Sequence, residues 1–294
     1  MEKAAMMARA LQLVEHVDAL PTIPAVATRI LALLDRPEVE VEEIADLMLS
    51  DQVMTARVLK LINSPIYKPG HEITSLKRAL LHLGLKHIRE IVLTTSLIKA
   101  FGESSERLEV GTFWEHSFGV GMVAKIIAKK VGYADADKAY ISGIILDLGE
   151  VFLSSHLPAE FRRVLDSMAG KPVSLVQAEA ELLGTTHCEI GLCMARKWNF
   201  PEAYCEVIAC HHTPAEAATD PVLCAIVNLA DLFWSVRELD YCGWVCFNLR
   251  DEPAWAILKS AYPNLADMDE ERFRYELEDA IPCVKELVVS IFKN

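Results

Sequence analysis

The chain has 294 residues, of which 52 % are hydrophobic, and it carries a formal net charge of −13 with an isoelectric point near 5.2. This length is enough for one large helical domain or two smaller ones, and the hydrophobic fraction argues against a disordered chain. Because attraction to phosphate needs clustered Lys and Arg, the acidic balance also argues against a general nucleic-acid or anionic-membrane surface.

The amino terminus shows no sign of export or membrane insertion. Residues 1–10 have the pattern of an amphipathic helix and lack the apolar stretch and cleavage site of a signal peptide. No uncharged apolar run in the sequence approaches the roughly 20 residues needed to cross a bilayer. We therefore expect a soluble, cytoplasmic protein with no membrane partner.

The cysteines favour a reducing compartment. None of them forms a C-x-x-C pair, which argues against both a zinc ribbon and a thioredoxin-like motif. Reduced thiols buried in the core are the expected role. An alternative is that Cys242 and Cys246 share a helical face and bind a metal. The eight cysteines stand at positions 188, 193, 205, 210, 224, 242, 246 and 283.

Apolar residues recur at spacings of three and four along the whole chain, which predicts an all-α protein of about fourteen helices. Near the amino terminus, the two prolines in residues 20–24 break the first helix. Asp51 is placed to cap a helix that ends at residues 63–65. Gly84 is predicted to separate two helices, which span residues 75–83 and 85–101.

The short helices around Gly84 loosely fit a DNA-reading helix-turn-helix, which makes a DNA-binding regulator one alternative function. The helix after the turn presents Lys86, His87 and Arg89. It then becomes apolar over residues 91–93, as expected of a core helix. Nucleic-acid binding is therefore the less favoured interpretation.

His116 is the first candidate functional residue. Thr112 and Glu115 have the spacing of a capping box, which predicts that a helix begins at Thr112. His116 would then lie in the first turns of that helix. It shares a stripe with Val120 and Val123, so we expect its side chain to face inward.

Asp147 is a single carboxylate among apolar residues. The pattern predicts one helix that starts at Asp135 or Asp137 and ends near residue 155. Burying an ionised carboxylate costs several kcal/mol or more unless a cation or a set of donors meets it, so Asp147 needs a partner. Gly143, one turn earlier on the same face, leaves room there for another helix or a ligand.

More isolated polar residues follow on later helices. Thr186 and Glu189 form a capping-box pattern that places His187 at the first position of a helix. Five or six unrelated buried polar side chains would each require a separate hydrogen-bond solution, whereas one shared site satisfies them together. The remaining members of this set are His211, His212 and Asp231.

Several separated motifs, taken in order, resemble an HDOD domain over roughly residues 15–215. The resemblance implies an all-helical fold like that of the HD superfamily. Its N-terminal helical part would span residues 1–105, its HD-like core 106–216, and further helices that complete the core with Asp231 would span 217–294. The motifs are Leu20-Pro-Thr-Ile-Pro24, residues 51–65 and 73–84, Trp114-Glu-His-Ser117, residues 143–149, residues 181–191 and Trp198-Asn-Phe-Pro201.

The resemblance also implies a set of metal ligands. In related HD phosphohydrolases, a helix histidine, an adjacent His-Asp pair and a later aspartate hold a divalent metal, and further histidines can hold a second. The matching metal would be iron, manganese, nickel or zinc. The corresponding residues are His116, Asp147 and Asp231 for the first ion and His187, His211 and His212 for the second.

One departure puts catalysis in doubt. Leu146 stands where the pair's histidine belongs, and leucine has no lone pair to offer a metal. The remaining His and Asp residues could still bind a metal weakly, or could satisfy one another by hydrogen bonds with no metal. With Tyr140 and Gly143, Leu146 would line the pocket beside Asp147. After the double histidine, residues 213–215 read Thr-Pro-Ala rather than Gly-Tyr-Pro, which argues against the cyclic dinucleotide cleavage of the HD-GYP branch.

We therefore expect a non-catalytic bacterial signalling module that binds a protein partner and retains a degenerate HD pocket. The main alternative is a metal-dependent phosphohydrolase or phosphodiesterase with a residual metal site. The sequence does not identify a small-molecule ligand.

Overall fold

A computed structural model of the chain describes residues 2–15, 25–34, 36, 38–63, 73–101, 110–238, 251–263, 265, 270–278, 282, 284 and 286. These residues form fifteen α-helices and one 3₁₀ turn, with no strand among them, which confirms the all-α class. The elements are α1 Glu2–Glu15, α2 Ala25–Leu34, α3 Val41–Leu49, α4 Gln52–Ile62, α5 Leu76–Phe101, α6 Val110–Val131, α7 Ala136–Ile145, α8 Leu148–His156, α9 Pro158–Met168, α10 Leu175–Leu183, α11 His187–Lys197, α12 Glu202–Cys210, the 3₁₀ turn Pro214–Glu216, α13 Pro221–Glu238, α14 Pro253–Ala261 and α15 Glu270–Glu278.

The N-terminal helices follow the predicted breaks where the structure describes them. The Asp51 carboxylate accepts a hydrogen bond from the backbone N–H of Met54 at 3.0 Å, as expected of an N-cap. Gly84 has φ 73° and ψ 161° inside α5, so two helices meet at a kink there. The positive φ requires glycine at this position. The predicted breaks at residues 20–24 and 64–65 lie outside the described residues.

The helix after Gly84 belongs to the core. Ile88, Ile91 and Val92 are almost completely buried. Thr95 and Ser96 are buried as well, and their hydroxyls donate to backbone carbonyls within the same helix. The described side chains of residues 91–96 are all buried, so this part of the helix is not available to enter a DNA groove.

The first helix packs far from its sequence neighbours. α1 lies against α11, with the Met7 and Cys193 sulfurs 3.5 Å apart. Lys3 forms an ion pair with Glu216 of the 3₁₀ turn at 2.6 Å. α1 therefore covers the part of the molecule that carries His187.

Helices α6 and α7 cross at a pair of glycines. A Cβ added to Gly143 would lie 2.7 Å from the Cα of Gly121, and one added to Gly121 would lie 2.9 Å from the carbonyl oxygen of Tyr140. Gly143 was predicted to leave room for another helix or for a ligand. In the structure, another helix occupies this space. This crossing sets α6, which carries His116, beside the chain that leads into Asp147.

Two predicted helix boundaries are wrong. α6 begins at Val110, so Thr112 lies inside the helix rather than at its N-cap. The single helix predicted across Asp147 is broken: α7 ends at Ile145, α8 begins at Leu148, and Asp147 has non-helical φ −97° and ψ 27° between them.

Five cysteines fall within the described residues, and all five are free and buried: Cys188, Cys193, Cys205, Cys210 and Cys224. Cys242 and Cys246, the predicted alternative metal pair, lie outside the described residues, as does Cys283. Among the described helices, none combines the length and apolar character required to span a membrane.

Candidate metal centre

A first group of ligand-type side chains joins α6, the α7–α8 break and α13. The Nε2 atom of His116 lies 3.3 Å from Asp147 Oδ2 and 3.3 Å from Asp231 Oδ1. Asp231 Oδ1 also accepts a hydrogen bond from the Ser235 hydroxyl, one turn later in α13, at 3.1 Å. Both carboxylates are buried, with 8 % and 9 % of their side-chain surfaces exposed. These three residues are the first predicted ligand set, and they form one cluster.

A second group joins the start of α11 to the end of α12. The Nε2 atom of His187 lies 3.3 Å from that of His211 and 3.1 Å from that of His212. Thr186 caps α11 with its side chain in a capping box with Glu189, as predicted, and this cap fixes His187 at the first helical position. His187 and His211 are completely buried, whereas the outer side of His212 is exposed.

Asp147 stands between the two groups. Its Oδ1 atom lies 3.5 Å from His211 Nε2 and 3.8 Å from His187 Nε2, while Oδ2 faces His116. The break between α7 and α8 frees the carboxylate from a regular helical position, so its two oxygens point to different partners. The six residues predicted as metal ligands thus form two neighbouring groups, and Asp147 contacts both.

The outer nitrogens of the two buried histidines already have partners. His187 Nδ1 donates to Glu179 Oε2 at 2.7 Å, and His211 Nδ1 donates to the carbonyl oxygen of Ile208 at 3.0 Å. A carboxylate and a carbonyl can only accept, so each Nδ1 carries its hydrogen, and each neutral ring has a lone pair on Nε2. Two lone pairs facing each other at 3.3 Å repel. The arrangement therefore calls for a cation between them, either a proton or a metal ion.

The pKa values of the two buried histidines also favour a positive charge in the second group. Burial disfavours a charged His187, but Cys188 and Glu179 outweigh it and hold the pKa of His187 well above its ordinary value. Burial likewise opposes a charged His211, yet Cys188 and Asp147 raise its pKa to about 9. Both shifts favour a positive charge at these rings, and a metal ion that binds here competes with protons for the ring nitrogens.

The pKa values of the other ionisable groups shift in directions that depend on their neighbours. Burial opposes ionisation of Asp147 and Asp231, but contact with His116 holds both pKa values below the usual range. Burial, followed by the charge of Asp147, raises the pKa of Glu150 to about 8. Desolvation of the inner part of the His212 ring, together with the two buried histidines beside it, lowers the pKa of His212 to about 3. The His212 ring is therefore neutral and ready to bind a metal.

Three residues of this centre were missed from the sequence: Glu179, Cys188 and Glu150. Glu179 is completely buried and binds both the ring and the backbone N–H of His187. The sequence contains a signal for Glu179, because a glutamate on the apolar stripe of α10, between Leu175 and Leu183, is expected to be buried. Cys188 and Glu150 each belong to a cluster of ligand-type atoms with His187.

The three residues predicted to line a pocket beside Asp147 are all buried. Gly143 meets α6, as described above, and the Tyr140 ring lies under the ammonium group of Lys125 at 5.2 Å. Leu146 is 1 % exposed and has helical φ and ψ angles at the end of α7. The segment that leads into Asp147 is therefore buried, and Gly143 packs it closely against α6.

The donor set fits a transition metal. Imidazole nitrogens with carboxylate oxygens are ligands that zinc, iron, manganese and nickel accept. For a tetrahedral ion with metal–nitrogen bonds of about 2.0–2.1 Å, ligand nitrogens stand about 3.3–3.4 Å apart. The Nε2 atoms of the second group are separated by 3.1 and 3.3 Å. The second group is thus already close to the spacing that a metal requires.

Gly149 sets the position of His187, and this gives a first prediction. A Cβ on Gly149 would lie 2.0 Å from the carbonyl oxygen of His187 and 2.7 Å from its Cα. Backbone atoms cannot rotate away, so we expect Gly149→Ala to lower the free energy of unfolding by about 3 kcal/mol, at the upper end of overpacking costs. Urea denaturation measures this change.

Gly132→Ala is the control for that substitution. Gly132 has φ +86°, but no atom lies within 4 Å of an added Cβ, so only backbone strain of about 1–2 kcal/mol is expected. Equal losses for the two variants would show that α8 and α11 are not held in contact by Gly149.

Comparison with known proteins places the chain in context. A family model of the HDOD domain matches residues 20–214. The fold is similar to that of an HDOD domain protein of unknown function from Geobacter sulfurreducens, with 32 % identity, a TM-score of 0.85, and coverage of 99 % of this chain and 100 % of that one.

Two more distant structures share the fold alone. A candidate phosphohydrolase from Shewanella amazonensis SB2B has 21 % identity and a TM-score of 0.76, over 97 % of this chain and 98 % of that one. A candidate signal transduction protein from Marinobacter aquaeolei VT8 has 18 % identity and a TM-score of 0.78, over 99 % of this chain and 66 % of that one.

A protein of Treponema pallidum (strain Nichols) is 24 % identical over 233 residues, which are 79 % of this chain and 45 % of that protein. The chain therefore spans less than half the length of this curated relative.

Proposed function

The chain belongs to the HDOD domain family, and we propose that it is a regulatory module of bacterial signalling that binds a transition metal and acts through a protein partner without turnover. The proposal has three parts: metal binding, the lack of catalysis, and a signalling role. Each part has its own support and its own test.

Metal binding is carried by one observation. The Nε2 atoms of His187, His211 and His212 converge at 3.1 and 3.3 Å, while the outer nitrogens of His187 and His211 are held by Glu179 and Ile208. Side chains that only satisfied one another would alternate donors and acceptors. Here the outer nitrogen of each buried ring is a donor, so in the neutral rings both inner nitrogens are acceptors, and a single cation between them can satisfy both.

The lack of catalysis is supported by Leu146. A hydrolytic metal activates water and stabilises charge on a phosphate, and for this it needs several ligands and one open position. We infer that Leu146, which is buried and directly precedes Asp147, stands in the place of a ligand histidine. Since the loss of even an outer-shell partner typically costs about 10–100-fold in affinity or activity, the loss of an inner ligand should cost at least that much.

The signalling role is supported by the fold, which a candidate signal transduction protein shares. A protein partner fits this role better than DNA. Residues 91–96 of the helix after Gly84 are buried in the core, and the chain carries a net charge of −13. Partner capture with the full-length chain as bait, followed by a quantitative binding measurement, tests this part.

Metal analysis of protein purified without chelator, combined with phosphodiesterase and phosphatase assays, tests the first two parts. We expect about one or two equivalents of transition metal per chain and no phosphoester hydrolysis. Turnover that Asp147→Ala abolishes would overturn the non-catalytic assignment. Failure of the metal-free protein to bind zinc, manganese, iron or nickel would overturn the metal assignment.

A metal-dependent phosphohydrolase is the second candidate function, and the position of Asp147 favours it. One oxygen of Asp147 faces His116 and the other faces His211 and His187. A carboxylate shared in this way can join two metal ions, which clamp both oxygens of a phosphoryl displacement in two-metal hydrolases. Metal-dependent hydrolysis by the wild-type chain decides in favour of this candidate.

Leu146 gives a second prediction. If Leu146 occupies the place of a metal ligand, Leu146→His should raise the metal affinity of the group formed by His116, Asp147 and Asp231 by at least about ten-fold. Titration calorimetry with Mn²⁺ or Zn²⁺ measures this affinity. Leu148→His is the matched control, because Leu148 is equally buried on the other side of Asp147. A gain in both variants, or in neither, would contradict the assignment of Leu146.

A further inference from the structure

Cys188 lies close to the three-histidine group, where it raises the pKa values of His187 and His211, and it was not among the predicted metal ligands. One ligand atom from each of His187, Cys188, His211 and His212 lies within 4.8 Å of all the others. Cys188 is the second residue of α11, directly after His187, and is 6 % exposed. Its sulfur therefore lies within 4.8 Å of a ring nitrogen of each of the three histidines.

The other described cysteines have different surroundings. Cys193 Sγ contacts Met7 Sδ at 3.5 Å, and Cys205 Sγ lies 3.6 Å from the carbonyl oxygen of Phe200. Within the described part of the chain, Cys188 alone among the cysteines joins a cluster of metal-ligand atoms. A buried cysteine is often only a small apolar side chain, and Cys193 fits that description. The position of Cys188 beside three imidazoles sets it apart.

The geometry of the histidines leaves a place for a fourth ligand. His187 and His211 each have one ring nitrogen engaged elsewhere, so each offers a single nitrogen to an ion. With His212, the group supplies three nitrogens. Structural zinc sites have four protein ligands in a tetrahedron, whereas catalytic sites have three and keep the fourth place for water.

We propose that the Cys188 thiolate is the fourth ligand of the three-histidine group, which makes this group a closed site for zinc-like ions. The proposal rests on the metal binding proposed above and specifies its chemistry. A soft sulfur ligand favours zinc or cobalt over magnesium or manganese. With four protein ligands, the ion has no open position for water, and it fastens the start of α11 to the end of α12.

The two groups of the centre would then differ in kind. His116, Asp147 and Asp231 offer one nitrogen and carboxylate oxygens, with no sulfur. This group suits harder ions such as manganese or iron. Of the two groups, it alone has three protein ligands and so leaves a coordination position for water. The closed group would stabilise the fold beside it.

Titration of the metal-free, full-length chain with Co²⁺ alone tests the proposal. Thiolate bound to cobalt gives a charge-transfer band in the near ultraviolet, and cobalt bound only by nitrogen and oxygen does not. We expect this band in the wild-type chain and its complete loss in Cys188→Ala, together with at least about a ten-fold loss of Zn²⁺ affinity at this group.

Cys193→Ala is the matched control, because it also removes a buried thiol from α11, and it should retain both the band and the affinity. Cys188→Ser keeps a side chain of similar size and should lose the band, which separates a lost ligand from a packing defect. Cobalt bound without the band in the wild-type chain, or a band that survives in Cys188→Ala, overturns this inference and leaves the metal centre in place. No cobalt or zinc binding at all overturns both the inference and the proposed metal binding.

Discussion

His187→Ala is expected to lower the free energy of unfolding of the metal-free protein by about 3–5 kcal/mol, because it leaves a buried carboxylate without its charged partner. Glu179 is completely buried, and one of its oxygens accepts hydrogen bonds from the His187 ring at 2.7 Å and from the His187 backbone N–H at 2.9 Å. Its other oxygen has no hydrogen-bond partner among the described residues. The alanine variant keeps only the backbone contact.

Chemical denaturation in the presence of a chelator measures this loss separately from metal binding. The control is the double variant Glu179→Leu/His187→Ala, which removes both charges. Replacing a whole buried pair by apolar residues is often neutral, so the double variant should be more stable than His187→Ala alone. A double variant at least as unstable as the single one would show that burial of the Glu179 charge is not the cause.

The sequence predicts several local features of the fold. The N-caps at Asp51 and Thr186 and the break at Gly84 depend on side chains or φ values of residues within a few positions, and the structure has all three. The helix stripes also indicate that His116 faces inward. These signals are local, so one sequence is enough to read them.

The features that the sequence did not reveal depend on contacts between distant segments. The break at Asp147 has no proline before it, and its neighbours are apolar residues that suit a helix. It places the aspartate oxygens between His116 and the histidines of α11 and α12. The packing of α1 against α11 likewise joins parts of the chain that no local pattern connects.

If the centre holds two ions, Asp231→Ala and His212→Ala should each remove a different one. Asp231 belongs to the group with His116, while His212 belongs to the group with His187 and His211. The loss of an inner ligand should weaken its own ion by at least about 10–100-fold, while the other ion keeps its affinity. Metal content after dialysis and titration calorimetry with Zn²⁺ and Mn²⁺ measure the two affinities separately.

Asp147→Ala should produce the largest effect, because its carboxylate faces both groups. It removes an inner oxygen ligand from the His116 group, at a cost of at least about 10–100-fold. It also removes a negative group that lies 3.5 Å from His211 Nε2. The loss of this outer partner should lower the metal affinity of the second group about 10-fold.

If Asp231→Ala and His212→Ala instead abolish the same single ion, the two groups form one site. Asp147 would then be one ligand among several, rather than the residue that couples two metal ions across the break between α7 and α8.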